Sequence, residues 1–450
     1  MKYSEFDDEI IIDDEFNEKL TNIEIAILEK YRKITFGKKF NQSIDSLQEL
    51  NLTHIIFGNE FNQNVDNLPN TIIEITFGKK FNQNVDYLPD STKMLFFGKY
   101  FNQKIDHLPE NLIVLTLGYN FDQNIDYLPN SLNILKLGSY FNKKIDNLPP
   151  NLIELITGHT FNQKIDHLPN SLKILKMGFS FNQTIDYLPR NLNILDLSYC
   201  FNKKIDFLPN KLIKLVIDGE FNQIINSLPD SIEEIIFLGN FNKFIYKYPK
   251  NLKKITLKYF FNHNIDNLPF GLEKLVLGPH FDQPINNLPL SIKELYLDYS
   301  FNQPIDYLPI GMKKIVFSDL FNQHIDNLPD SIEEITLGSS FDKEITKIPK
   351  NLKKIIFIDN PRFYYIPNID IVYETEENDY KHFYTISHHH IFHMDTTFHH
   401  FLQTIPLYSP FYNSYNIHHI LLYHFPPILH VILHIFHPPS VILYSYTSPH

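Results

Sequence analysis

The chain is poor in the residues on which many site chemistries depend. Among 450 residues there is one cysteine, no tryptophan, one alanine (Ala26) and only 14 glycines. A single cysteine excludes a disulfide framework and any Cys-based zinc or iron–sulfur centre, and it suits a reducing compartment. Positive charge is also short: 40 Lys and Arg face 52 Asp and Glu, a net charge of −12. That balance disfavours nucleic-acid binding, which needs a basic face to displace counterions from phosphates. Met1 to Asp8 is polar and acidic, with neither the basic nor the apolar stretch of a secretory signal. Phosphate-binding glycine loops, the G-x-S-x-G elbow and the H-E-x-x-H zinc motif are all missing from the sequence. No enzymatic activity, cofactor or metal site is therefore expected. Asn, Ile, Lys, Phe and Tyr fill the space, and with 43% apolar residues the chain has the means to bury a large core.

What dominates is an internal repeat. Phe followed by Asn or Asp recurs from Phe61 to Phe341 at an unbroken spacing of 20 residues. Phe40 opens an earlier copy and a ragged one begins at Phe16. The unit reads F-N-x-x-I-D-x-L-P-x-x-L-x-x-L-x-L-G-x-x. Its ninth position is Pro in all fifteen in-phase copies, from Pro69 to Pro349, and its eighteenth is often Gly, as at Gly78, Gly98 and Gly118. Such a unit carries about six inward apolar side chains, each worth roughly 1.5–3 kcal/mol when buried. Ordering some 20 residues of backbone costs about 1–2 kcal/mol apiece, so one unit does not stand alone. Neighbours must cover its ends, which predicts a stacked, quasi-one-dimensional solenoid.

The L-x-x-L-x-L segment ends with period two, the signature of a short strand that the following Gly terminates. Only about a dozen residues join successive strands, and Pro sits among them, so a helical return is not expected. The fold class is all-β: a parallel-strand solenoid with one strand per 20-residue coil, resembling the leucine-rich-repeat design. Thr21–Lys33 is expected to form a short helix or strand capping the open N-terminal end.

The fuller pattern, Phe-Asn-x-x-Ile-Asp-x-Leu-Pro, resembles the FNIP repeat family of social amoebae and giant viruses of amoebae, across about residues 40–360. The usual leucine-rich Asn is displaced: its place is variable (Tyr100, Asn120, Tyr140, Ser180), and the recurrent Asn falls two residues later, as at Asn102 and Asn182. Many members of the family carry an N-terminal F-box, implying a role in ubiquitin ligation. Here the acidic stretch before Phe16 and Phe40 leaves no room for a three-helix F-box, so that role is not carried over. The resemblance is consistent with a cytoplasmic protein, in a host cytoplasm if the source is viral.

The chain therefore reads as an acidic N-terminal cap segment (1–39), a solenoid of about 16 coils (40–360), a degenerate last coil (361–381) and a tail (382–450). The recurrent Asp at the sixth position, from Asp66 to Asp326, forms a row along one edge. It lacks the interleaved glycines of a calcium repeat and reads as a turn or cap residue accepting backbone N–H bonds before Leu-Pro. The second-position Asn is expected to satisfy backbone groups of the next coil, and the first-position Phe to form a core stack. Cys200 occupies a variable position and reads as incidental.

Outward positions vary and so carry the functional information. The fourteenth position is mainly apolar in the first half: Met94, Val114, Ile134, Ile174 and Ile194, interrupted by Glu154. Phe96, Ile156, Tyr119, Phe179 and Tyr199 flank it. From Lys214 to Lys354 the same column alternates mostly between Lys and Glu, a pattern that pairs along a sheet. The apolar half has two readings, a protein-binding patch or strand propensity alone. We expect a monomeric, non-catalytic repeat protein that binds a protein partner on this face, with no nucleic-acid or membrane partner. A ubiquitin-ligase adaptor, or an expanded repeat without a specific partner, is the alternative.

The tail follows different rules. Residues 382–450 hold 14 of the 21 histidines, no Lys, Arg, Glu or Gly, and a single charged side chain, Asp395. Metal binding by His388, His389, His390 and His393 is one reading. A membrane anchor over Ile417–Tyr446 is disfavoured by Pro426-Pro427, Pro438-Pro439 and six histidines. The switch from purine-rich to pyrimidine-rich codons favours an out-of-frame or unselected extension without a stable fold.

Overall fold

The computed structural model describes residues 1–359, 366 and 369–374, and the features below are those of these residues. The tail 382–450, with its His cluster and its anchor candidate, and most of the degenerate coil 361–381 lie outside them.

An antiparallel hairpin opens the chain: β1 (Tyr3–Phe6) pairs with β2 (Glu9–Ile12). An α-helix follows, α1 (Asn22–Leu28), which Thr21 and Glu24 close with a reciprocal capping box. β3 (Lys33–Thr35) and β4 (His54–Ile56) come next, and from β5 (Glu74–Thr76) to β19 (Lys354–Ile358) one strand begins every 20 residues. A last strand, β20 (Asp370–Glu374), adds to β19. From β2 onward every pairing is parallel and in register, residue n opposite n+20 from β4 to β19. Parallel strands ordinarily need long crossovers; here each coil makes one full turn and returns beside its own start. The solenoid design is as expected, and of the helix or strand expected within Thr21–Lys33 it is the helix that forms, over Asn22–Leu28. The stack reaches further toward the N-terminus than Phe40, because β2 pairs in parallel with β3 and Phe16 stacks on Phe40 at 6.1 Å.

The coils bury the six side chains their pattern marks, except that Ile345 and Ile348 in the coil opened by Phe341 are only partly buried. In one coil Phe121, Ile125, Leu128, Leu132, Leu135 and Leu137 all face inward and are buried. First-position Phe rings stack face to face through the whole solenoid, with centroids 5.8–6.4 Å apart. Pro closes the turn that re-enters the strand: its carbonyl accepts the amide of the twelfth position, as Pro69 does from Ile72 at 3.1 Å.

Polar ladders satisfy the backbone between these apolar columns. The Oδ1 of Asn62 accepts the amide of Asn82 at 2.9 Å, and Gln83 Nε2 also donates to it at 3.1 Å; the bond recurs coil after coil. Where Asp replaces Asn the bond persists, as from Asn142 N–H to Asp122 Oδ1 at 3.1 Å. The expectation for the second-position Asn therefore holds in detail. The sixth-position Asp behaves differently from expectation: Asp126, Asp266 and Asp306 accept the side-chain amide of Asn147, Asn287 and Asn327 in the next coil. The Asp is a coil-to-coil tie where the next coil offers Asn at its seventh position, and Asp66, Asp86 and Asp266 also accept the side-chain amide of Asn64, Asn84 and Asn264 in their own turn. Only Asp326 accepts backbone amides there, from Thr346 and Lys347.

The ladder takes two patterns around the eighteenth position. At Gly98 a Cβ would lie 1.9 Å from the carbonyl oxygen of Gly78, so only Gly lets the coils close here. In these coils the amide of the seventeenth position bonds forward, as Phe77 does to Phe96 O. From Asp218 to Asp298, Gly278 included, the strand has four residues and the eighteenth amide bonds back instead, as Asp218 does to Leu197 O and Gly278 to Leu257 O.

Candidate interaction surface

Strand alternation sends the fourteenth and sixteenth positions of each coil to the outer face of the sheet, while the fifteenth and seventeenth enter the core. Six strands carry the apolar run: β6 (Met94–Phe96), β7 (Val114–Thr116), β8 (Ile134–Lys136), β9 (Glu154–Ile156), β10 (Ile174–Lys176) and β11 (Ile194–Leu197). Their register sets Met94 opposite Val114 and Val114 opposite Ile134, then Glu154, then Ile174 opposite Ile194. All five apolar side chains are half-buried. The run is thus two islands, Met94–Val114–Ile134 and Ile174–Ile194, divided by one carboxylate.

The remaining candidates are placed less uniformly. Phe96 and Ile156 share the sixteenth column but are kept apart by Thr116 and Lys136. At the rim beyond the strands Tyr119 meets Tyr140 edge-on at 4.8 Å, with the Lys99 ammonium 5.4 Å from the Tyr119 ring centre. Burial and the bond to Tyr140 push the Tyr119 hydroxyl up to about 12. Further along, His159, Phe179 and Tyr199 form a flat stack at 4.7 and 4.8 Å. Burial lowers the pKa of His159 and so favours its neutral ring beside Phe179. Cys200, next to this stack, has its thiol pushed up by burial and by Glu220, the opposite of an activated nucleophile.

From β12 (Lys214–Ile217) onward the face changes character. Lys214 pairs with Glu234 at 2.8 Å, Lys274 with Glu294 at 2.9 Å and Lys314 with Glu334 at 2.5 Å. The alternation fails once, where Lys254 sits opposite Lys274. Tyr296 lies between two cations, with Lys274 4.5 Å and Lys314 5.8 Å from its ring centre.

One feature escapes a reading confined to strand positions. The tenth position, just after Pro, is polar in most coils, but three successive coils place Phe270, Leu290 and Ile310 there, and all three are exposed. The departure from Asn, Asp or Lys in that column was available in the sequence. Among the described residues there is no cluster of His, Cys, Asp and Glu able to hold a metal ion, and no helix long and apolar enough to cross a membrane.

The FNIP Repeat family model matches residues 50–80, 64–100, 101–140, 124–160, 141–180, 161–200, 201–240, 261–300, 281–320, 301–338 and 321–360. Among solved structures the chain is similar to CroV588, of giant-virus origin and described as a novel circular LRR protein structure. The identity is 30% over 82% of this chain and 72% of that one, with a TM-score of 0.62. YopM from Yersinia enterocolitica is 16% identical over 72% of this chain and 87% of its own, with a TM-score of 0.40. The functional domain of InlJ from Listeria monocytogenes is 12% identical over 75% of this chain and 72% of its own, with a TM-score of 0.46. No curated protein matches the chain. With repeat models tiling most of its length and a leucine-rich-repeat structure sharing its coils, the chain belongs to the FNIP repeat family.

Proposed function

We propose that the chain is a non-catalytic display scaffold that binds a protein partner through the outer sheet face of β6 to β11. Solenoids of this leucine-rich kind are typically protein-interaction modules. The observation that carries the reading is the contrast within one column. The fourteenth position is apolar and half-buried at Met94, Val114, Ile134, Ile174 and Ile194, yet carries paired Lys and Glu over the second half of the same sheet. Strand propensity acts on both halves alike, so it does not account for the difference. Phe96, Ile156, Tyr119, Phe179 and Tyr199 enlarge the contact and supply rings that lose little entropy on binding. Stacked coils hold these side chains on a fixed lattice, so little ordering cost remains for the complex. A monomer acting in a cytoplasm fits this role.

The test is affinity capture with the full chain, compared with an Ile134→Glu/Ile174→Glu variant whose circular dichroism and melting are first shown to match. Loss of one distinct partner on charging the two isoleucines is the expected result. Retention of that partner by the charged variant would falsify the assignment of this face. Recovery of ligase scaffold subunits would favour an adaptor role instead.

A further inference from the structure

A second surface lies on the turn flank of the C-terminal half, away from the sheet face and independent of the reading above. Phe270, Leu290 and Ile310 are 83%, 62% and 79% exposed on three successive coils. The strip is sharply bounded: the Asp230–Lys250 pair precedes it at 3.4 Å and the Asp330–Lys350 pair follows at 2.7 Å. Beside it the floor is cut away. The eleventh position usually carries Asn or Ser, and Ser291 and Ser331 donate to the carbonyls of Leu272 and Met312 at 2.7 and 2.6 Å. Gly271 and Gly311 occupy that position in two of the three coils, where a Cβ would meet nothing nearer than 4.0 and 3.6 Å. The carbonyls of Leu252 and Ile292 thereby lose the hydroxyl that their counterparts accept.

The opposite wall is the thirteenth column: Lys253, Glu273, Lys293, Lys313, Glu333 and Lys353, four cations against two anions. Lys293 and Lys313 are neighbours along this wall, yet each ammonium is held on its far side, by Glu273 at 3.1 Å and Glu333 at 2.6 Å. This is the step of the wall where two cations adjoin with no carboxylate between them, so an acidic partner is favoured there. Past the strip the same columns bound a hollow of about 500 Å³ lined by Lys313, Glu333, Lys350 and Lys353.

Spacing selects the form of the occupant. Neighbouring strands lie about 4.8 Å apart, while the Phe rings of the same three coils stack at 6.4 and 6.3 Å. A helix advances about 5.4 Å per turn, inside that interval, so successive turns meet successive coils. An extended chain repeats on one face only every ~6.7 Å, beyond both spacings. We propose that this groove receives an amphipathic helix of a protein partner, its apolar stripe on Phe270, Leu290 and Ile310 and its acidic flank toward Lys293 and Lys313.

The probe is a stapled, fluorescein-labelled helical peptide of about five turns, with a leucine stripe and either a Glu or a Lys flank. Anisotropy titration against the full chain is expected to give binding of the Glu peptide at least about tenfold tighter than of the Lys peptide. Leu290→Lys should weaken it by about tenfold or more, and Lys293→Glu/Lys313→Glu should reverse the preference between peptides. Both changes lie on exposed side chains, and Phe270→Ser provides a third variant should either disturb folding. Equal binding of both peptides, or binding of neither at millimolar concentration, overturns the proposal. A dimer of the full chain that Leu290→Lys dissociates assigns the strip to a second copy and overturns it too. So does photo-crosslinking from position 290 into residues 377–450, which makes the occupant the chain's own tail.

Discussion

At the scale of single residues, the same amino acid has opposite value at two places in one coil. Gly98 is required by close approach: its Cα faces the Gly78 carbonyl so tightly that a Cβ would lie 1.9 Å from the oxygen. Gly271 is not under that constraint, since its nearest neighbour to a new Cβ is an oxygen at 4.0 Å and its φ lies outside the left-handed region. Gly98→Ala should therefore force two coils apart and cost about 1–3 kcal/mol or more. Gly271→Ala should be neutral or stabilise by about 0.4–1 kcal/mol through the unfolded chain. Urea-unfolding midpoints of the two variants check this, and equal midpoints would remove the close-approach argument. The sequence carried the recurrence of Gly98 but not its reason. The Asn ladder was legible because a buried backbone amide must be paired and Asn recurs where only the next coil can supply the partner. The Asp ties were not, because sequence gives the spacing of Asp126 and Asn147 but not which neighbour its carboxylate reaches first.

At the scale of the strand and its turn, charge columns behave as small networks. Glu333 is shared by Lys313 and Lys353, whose bonds hold its carboxyl down at about 2, well below the usual 4.5. A carboxylate whose pKa is lower in the folded state stabilises the fold above its unfolded pKa and loses that contribution as pH falls through the folded value. The contribution should thus be complete above about pH 5, decline from about 4.5 and be gone near 2. Glu333→Gln removes it, so the gap in melting temperature between the two proteins should be constant at neutral pH and close across that window. High salt should shrink the gap, because the carboxylate is exposed and screened. A gap unchanged between pH 6 and pH 3 would show that the two lysines contribute packing only. The alternation of Lys and Glu was readable from spacing alone; the Lys254–Lys274 contact and the adjacency of Lys293 and Lys313 were readable too, but their meaning depends on which partner each ammonium turns toward. The strip at Phe270, Leu290 and Ile310 was missed for a related reason. Attention to strand faces passes over a turn position, although exposure is greatest there.

At the scale of the whole described solenoid, nothing but neighbours supports a coil. Register, Phe stack and polar ladders all connect each unit to the ones before and after it, so stability is a sum of unit and interface terms. A break should then be felt differently in the middle and at an end. Phe201 is fully buried between Phe181 at 6.1 Å and Phe221 at 6.0 Å. Phe201→Ala should cost about 3–5 kcal/mol and weaken two interfaces at once, so hydrogen exchange should accelerate in the coils around it and unfolding should separate into two phases. Phe16 is only partly buried and stacks on Phe40, so Phe16→Ala should fray the N-terminal hairpin and α1 while the central coils keep their protection. A fragment of two central coils, residues 161–200, should show no cooperative melt, since both of its apolar ends are bare. Cooperative unfolding of that fragment as a monomer, or a uniform rise in exchange across all coils in Phe201→Ala, would mean that stability is local to the unit. The display faces would then be held by each coil separately, and the lattice on which both interaction surfaces depend would have no common origin.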